Sequence, residues 1–303
     1  MKLIIRADDI GYTDVCNIGA FETVERGVVT SADVMLDTPG TEDALERLKA
    51  FPWISLGWHG HMWGAPVLDP QAVPSLVMAD AGRIRFRKDL RAAADVVFDE
   101  ALAECRAQIE RCVRILGRAP DTSGGSRANE APFGTAMRQV CDEYGIAYNV
   151  TIYPGPSDGM PWTAPADPRW ASRKIYHLGP RHPLNASQAL LTDSLTAIEA
   201  YDPASFYLDD PSHMLDLAED EMMMTALHPG YVDYYVYRLG DYGPEARNFI
   251  LARPVDVEAL CSERLKNWIR EYRVELVNFR DALYGTREYQ NHLRAIGSDL
   301  CVI

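Results

Sequence analysis

Three places in the chain carry side chains that could act together: the pair Asp8-Asp9, the near pair His59-Gly60-His61, and His228, which opens His228-Pro229-Gly230. Carboxylate and imidazole together suit a hydrolytic divalent metal, which keeps one coordination position open for water. Such an ion lowers the pKa of water and polarises an amide or ester carbonyl. A second carboxylate beside it can take the water's proton, and a histidine opposite can protonate the leaving amine. Neighbouring residues of a strand face opposite ways, so Asp8 and Asp9 reach one site only if the chain turns sharply there. Gly11, two residues on, makes that turn available. A lone histidine or aspartate at a strand end more often caps a loop; three such clusters on one rim argue for chemistry.

The elements that must carry them alternate between strand and helix patterns, the mark of a parallel α/β architecture. Strands are predicted over residues 2–6, 31–36, 54–57, 147–152, 222–227 and 274–277, and helices over 16–26, 41–51, 97–116, 135–144 and a last one over 256–271. Thr41 reads as the N-cap of the second helix. The clearest helix is 97–116, where Phe98, Ala101, Leu102, Cys105, Ile109, Cys112, Val113 and Leu116 recur at helical spacing. On this reading all three clusters fall after strands, where parallel α/β folds bind ligands. Residues 153–183 show no period and are rich in proline and tryptophan, as in a segment that covers a site or makes an interface. With no repeat and no linker, the expectation is a single domain over 1–303.

Composition narrows the partners. Thirty basic residues against 44 acidic ones give a net charge of −14 in 303 residues, and 47% are hydrophobic. This is an ordinary globular composition, and it argues against a protein that tracks nucleic-acid phosphates. No apolar run approaches the roughly 18 residues of a membrane span, and no signal-peptide core precedes Asp8. The six cysteines form no CxxC pair and read as reduced, mostly buried thiols of a cytoplasmic protein.

At these residues the sequence resembles the YdjC/ChbG-type carbohydrate deacetylases. The likeness runs in order through Ala7-Asp8-Asp9-Ile10-Gly11, Asn17-Ile18-Gly19, Glu25-Arg26-Gly27-Val28-Val29-Thr30-Ser31, Leu56-Gly57-Trp58-His59, Val73-Pro74-Ser75-Leu76-Val77 and His228-Pro229-Gly230-Tyr231-Val232-Asp233. It implies a distorted (β/α) barrel with one divalent ion, zinc or magnesium, bound by Asp9 and His59. It implies Asp8 as general base and His228 as acid or oxyanion donor, with a small carbohydrate as substrate. A homodimer is also what the resemblance leads one to expect.

One departure stands out. Relatives carry a histidine-rich run after a Gly-x-x-Pro, which supplies the third metal ligand. Here Gly117-Arg118-Ala119-Pro120 is followed by Asp121 to Glu130 without a histidine. Three readings stay open: His61 completes the set with Asp9 and His59, Glu130 supplies a carboxylate, or the metal is lost and Arg127 stands in its place or holds an anionic substrate. Trp58 and Trp63, flanking His59, are the candidates for stacking on a sugar face. Trp53, Trp162 and Trp170 read as packing, and His177, His182 and His213 as loop histidines. The expected reaction is hydrolysis of an N-acetyl group on an amino sugar or short oligosaccharide. Its rivals are the same fold acting on another amide or an acidic substrate, and a non-catalytic sugar-binding protein on a degenerate scaffold.

Overall fold

A computed structural model describes residues 1–80, 82–124, 131–152, 167–179, 195–239 and 247–302. The first half runs β1 (Lys2–Ile10), α1 (Asp14–Glu25), β2 (Ser31–Val34), α2 (Thr41–Leu48), β3 (Ser55–His59), β4 (Val77–Asp80), β5 (Arg83–Phe86), α3 (Phe98–Leu116), β6 (Thr122–Gly124) and α4 (Pro132–Tyr144). The second half runs β7 (Ala147–Tyr148), β8 (Lys174–His177), α5 (Leu195–Glu199), α6 (Ser205–Leu208), β9 (Glu221–Leu227), α7 (Tyr234–Leu239), α8 (Arg247–Cys261), α9 (Glu263–Glu271), β10 (Glu275–Leu276), α10 (Phe279–Tyr284) and α11 (Glu288–Ala295).

The main sheet is parallel, in the order β7-β6-β3-β2-β1-β9-β8, and β10 pairs with the start of β1 at Lys2 and Leu3. Beyond β7, Ile152 makes an isolated parallel bridge with Tyr176 of β8. The two ends of the sheet therefore meet, and the architecture is a distorted barrel of the expected kind whose seam, among the described residues, is one bridge pair. β1 pairs with β2, β9 and β10, and eight of its nine residues are buried. Such all-round burial is the usual environment of a parallel strand. The apolar face of α3, including Ala101, Leu102, Cys105, Ile109 and Cys112, lies in the main core, as its spacing predicts.

Several expectations need correction. Thr41 is the first residue of α2 and Gly40 is its cap; the Thr41 hydroxyl donates instead to Met35 O at 2.8 Å. The predicted last helix is two helices, broken at Ser262, whose side chain accepts from Leu265 N to cap α9. Two more helices follow. The segment 153–183 hides β8, which contributes to the seam; 153–166 and 180–183 lie outside the described residues. The antiparallel hairpin β4–β5 has no counterpart in the predicted elements. All six cysteines are free, and Cys16, Cys105, Cys112 and Cys141 are buried. Among the described residues, no helix is long and apolar enough to cross a membrane.

Candidate metal and catalytic site

The chain turns at Asp9 itself, two residues earlier than Gly11 suggests. Asp9 has φ +62° and Gly11 φ +90°, and the register between β1 and β2 shifts between Ala7 and Ile10. A left-handed aspartate inside a strand costs on the order of 1 kcal/mol, less than most side chains would. It breaks the alternation of the strand, so the adjacent carboxylates of Asp8 and Asp9 enter one cluster. Asn17 of α1 braces the turn: its carbonyl accepts from Gly11 N at 2.8 Å, and its amide donates to Gly40 O at 2.8 Å.

Asp9 Oδ1 lies 3.0 Å from His59 Nε2 at the end of β3 and 3.7 Å from His61 Nε2 just beyond it. The two imidazoles meet edge to face with centroids 4.1 Å apart. On its other side Asp9 is held by Arg253 of α8, whose Nη2 donates to Oδ2 at 2.5 Å. Asp8 forms a two-point pair with Arg6, at 2.6 and 2.8 Å. Arg6 also reaches Asp33 Oδ2 on β2 at 3.2 Å. Asp33 in turn lies 3.5 Å from His59 Nδ1. His228, directly after β9, places Nε2 3.9 Å from Asp8 Oδ2, and its backbone N–H donates to Asp256 of α8 at 2.9 Å.

The electrostatics follow from that alternation of signs. Burial opposes charge on Asp9, yet Arg253, His228 and His59 hold its carboxyl well below the ordinary range. Burial pushes Asp8 upward, against the pull of Arg6 and His59. Burial also acts against the charged form of His59, but Asp8, Asp33 and Asp9 outweigh it and raise the imidazole to about 10. His61 is held well below the usual histidine range, first by burial and then by the charge on His59.

A divalent ion fits one of two clusters here. Asp9, His59 and His61 each bring one donor atom within 4.8 Å of the others, and so do Asp8, Asp33 and His59. In the second cluster the Arg6 guanidinium already contacts both carboxylates. In the first, Asp9 Oδ1 and His59 Nε2 are buried without a hydrogen-bond partner, a state that ligation would relieve. One carboxylate and two imidazoles are also a usual donor set for a catalytic divalent metal with an open position.

Trp58 is fully buried, and its Nε1 donates to Gln108 at 3.2 Å, so it packs the core and does not stack on a ligand. Trp63 is half-buried and lies flat against His61, with centroids 4.3 Å apart. Arg127 and Glu130 lie outside the described residues, as do His182 and Trp162. His213 is exposed, and Trp53 stacks on His292. Sequence reasoning missed Arg6, Asp33 and Arg253. Arg6 and Asp33 left a faint signal, since each is a charge within a run otherwise fit for a buried strand. Arg253, buried inside α8, left none.

Gly64, next to Trp63 in the chain, helps line a cavity of about 290 Å³ together with Asp37, Arg83, Arg85, Arg111 and Tyr235. Asp37 accepts from Gly64 N at 2.7 Å through Oδ2, while its buried Oδ1 has no hydrogen-bond partner.

The chain is similar to known proteins over most of its length. The family model described as YdjC-like protein matches residues 2–271. A carbohydrate deacetylase of Brevibacillus brevis is 26% identical over 93% of this chain and 99% of its own length. One from Listeria monocytogenes is 25% identical over 93% and 100%. Among solved structures, a putative cellobiose-phosphate cleavage protein from Enterococcus faecalis V583 superposes with a TM-score of 0.61 at 22% identity, covering 92% of this chain and 98% of that one. At that identity the likeness concerns the fold.

Proposed function

The chain belongs to the YdjC-like protein family, and from that premise we propose that it is a metal-dependent carbohydrate deacetylase. Its substrate on this reading is an amino sugar or short oligosaccharide bearing an N-acetyl group. The observation that carries the reading is the convergence of Asp9, His59 and His61 on one point beside Asp8 and His228. Those three residues hold the ion, His61 standing in for the absent histidine-rich run. A divalent ion such as zinc or magnesium, when bound, supplies Lewis acidity toward the amide carbonyl and toward water.

The remaining steps belong to the chain. Asp8 takes a proton from the attacking water; burial raises its proton affinity, and Arg6 fixes its orientation. His228, across from Asp8, delivers a proton to the nitrogen as the amide C–N bond breaks, leaving acetate and a free amine. Arg253 keeps Asp9 ionised throughout. The cavity lined by Gly64 and Asp37 receives the rest of the sugar, with Asp37 accepting from hydroxyl groups. The six free thiols agree with a cytoplasmic, reducing setting.

A second reading, an acidic substrate on the same fold, is favoured by Arg83 and Arg111. Both line that cavity, and neither makes an ion pair with a carboxylate among the described residues.

The first test is metal content after purification without chelators, for wild type and for His59→Ala, His61→Ala and Glu130→Ala, paired with acetate release from N-acetylated sugars. Near-stoichiometric metal, lost in His59→Ala and His61→Ala but kept in Glu130→Ala, is expected. Loss in Glu130→Ala and retention in His61→Ala would move the third ligand to Glu130. Wild type that takes up no zinc, nickel, cobalt, manganese or magnesium would end the metal reading.

A further inference from the structure

Asp33 is a fully buried carboxylate in the middle of a short strand, and no step above uses it. A charge so placed costs several kcal/mol unless it is paired. Its polar neighbours are Arg6 Nη1 at 3.2 Å and His59 Nδ1 at 3.5 Å. Room for it comes from β3, where Gly57 stands opposite Asp33 in the register. A Cβ at Gly57 would overlap the Asp33 carboxylate. The sequence therefore keeps a side chain out of β3 at the one point where β2 carries an acid.

The His59 ring lies between two carboxylates, Asp33 facing Nδ1 and Asp9 facing Nε2. A ring that faces a carboxylate at each nitrogen has its plane and its outward nitrogen set by two charges, whereas a ring that faces one can rotate about χ2. Arg6 keeps the arrangement rigid, because one guanidinium binds Asp8 at two points and Asp33 at a third. It is also the resident cation of the cluster Asp8–Asp33–His59, whose three donors would otherwise compete for the metal.

We propose that Asp33, anchored by Arg6, is the positioning residue of His59, turning Nε2 toward Asp9 and His61. This rests on the reading of those three residues as metal ligands. Partners of this kind on a ligating histidine change metal affinity by roughly 10–100-fold when removed.

The test uses the whole chain, zinc alone as probe, and two variants, Asp33→Ala and Asp33→Asn. Zinc affinity is measured by competition with a chromophoric chelator, and the imidazole ¹⁵N–¹H spectrum is recorded on metal-free protein. Asp33→Ala is expected to bind zinc roughly 10–100-fold more weakly and to shift the His59 Nδ1 resonance. Asp33→Asn, which keeps an oxygen acceptor, should recover part of both; if the alanine variant does not fold, the isosteric asparagine carries the comparison through its loss of charge. A folded variant with wild-type zinc affinity and an unchanged His59 resonance overturns the proposal. Should wild type bind no zinc while Asp33→Ala still shifts His59, the metal reading fails and the positioning stands. No zinc and no shift removes both.

Discussion

Asp9 is the residue on which most forces converge: it occupies a left-handed turn, faces two imidazoles and takes the full charge of Arg253. Removing Arg253 leaves a buried carboxylate short of its main partner. Urea unfolding of metal-free Arg253→Met should therefore show a loss of about 3 kcal/mol, and the pair Asp9→Asn with Arg253→Met should lose less than the single change. Asp37 behaves differently. Burial raises its carboxyl to about 6, against the hydrogen bond from Gly64. The folded state thus favours the protonated form, whose stabilising contribution is complete below the unfolded value near 3.8. That contribution is lost as pH rises through about 6. Relative to wild type, Asp37→Asn should gain up to about 3 kcal/mol between pH 4 and pH 7, read from denaturant midpoints. A difference independent of pH would contradict the origin given for the shift.

At the level of elements, the site depends on how closely α1 approaches the turn after β9. A Cβ on Gly19 would lie 2.7 Å from Tyr231 N and 2.9 Å from Gly230 Cα. The Tyr231 hydroxyl also donates to Glu22 of α1 at 2.6 Å, so helix and turn move together. Gly19→Ala should push the His228 turn outward and lower kcat roughly 10–100-fold, with a smaller change in KM. An unchanged kcat in a folded variant would detach α1 from the chemistry. The same elements show what could be read from sequence. The period of α3 and the apolar runs of β1 and β9 announced themselves because their burial is local and repetitive. The break between α8 and α9 did not, because Ser262 caps a helix inside a pattern that otherwise continues. Asp8, Asp9, His59 and His228 were legible as polar groups at strand ends. Arg6 and Asp33 were only faintly so and Arg253 not at all, because their roles depend on partners that sequence spacing does not show, and Arg253 meets Asp9 across 244 positions of chain.

Over the whole molecule, the candidate ligands and the Arg6–Asp33 pair come from the first 61 residues, while His228, Arg253 and Asp256, which complete the site, come from the last third. A bound ion would act on the folded state alone, and at a hundredfold excess over its Kd it would add about 2.7 kcal/mol. Calorimetry with zinc and then with a chelator should move the melting temperature up and back by several degrees, and this shift should be absent in His59→Ala. Among the described residues, the barrel's seam is its least redundant join. Two backbone hydrogen bonds between described residues cross it at the bridge, Ile152 N to Ile175 O at 2.7 Å and His177 N to Ile152 O at 2.8 Å, whereas β1 and β9 are paired over six positions. Deuterium should therefore enter the Ile152 and His177 amides through local opening, well before it reaches Leu3 or Ile5, and the wall would part there first without global unfolding.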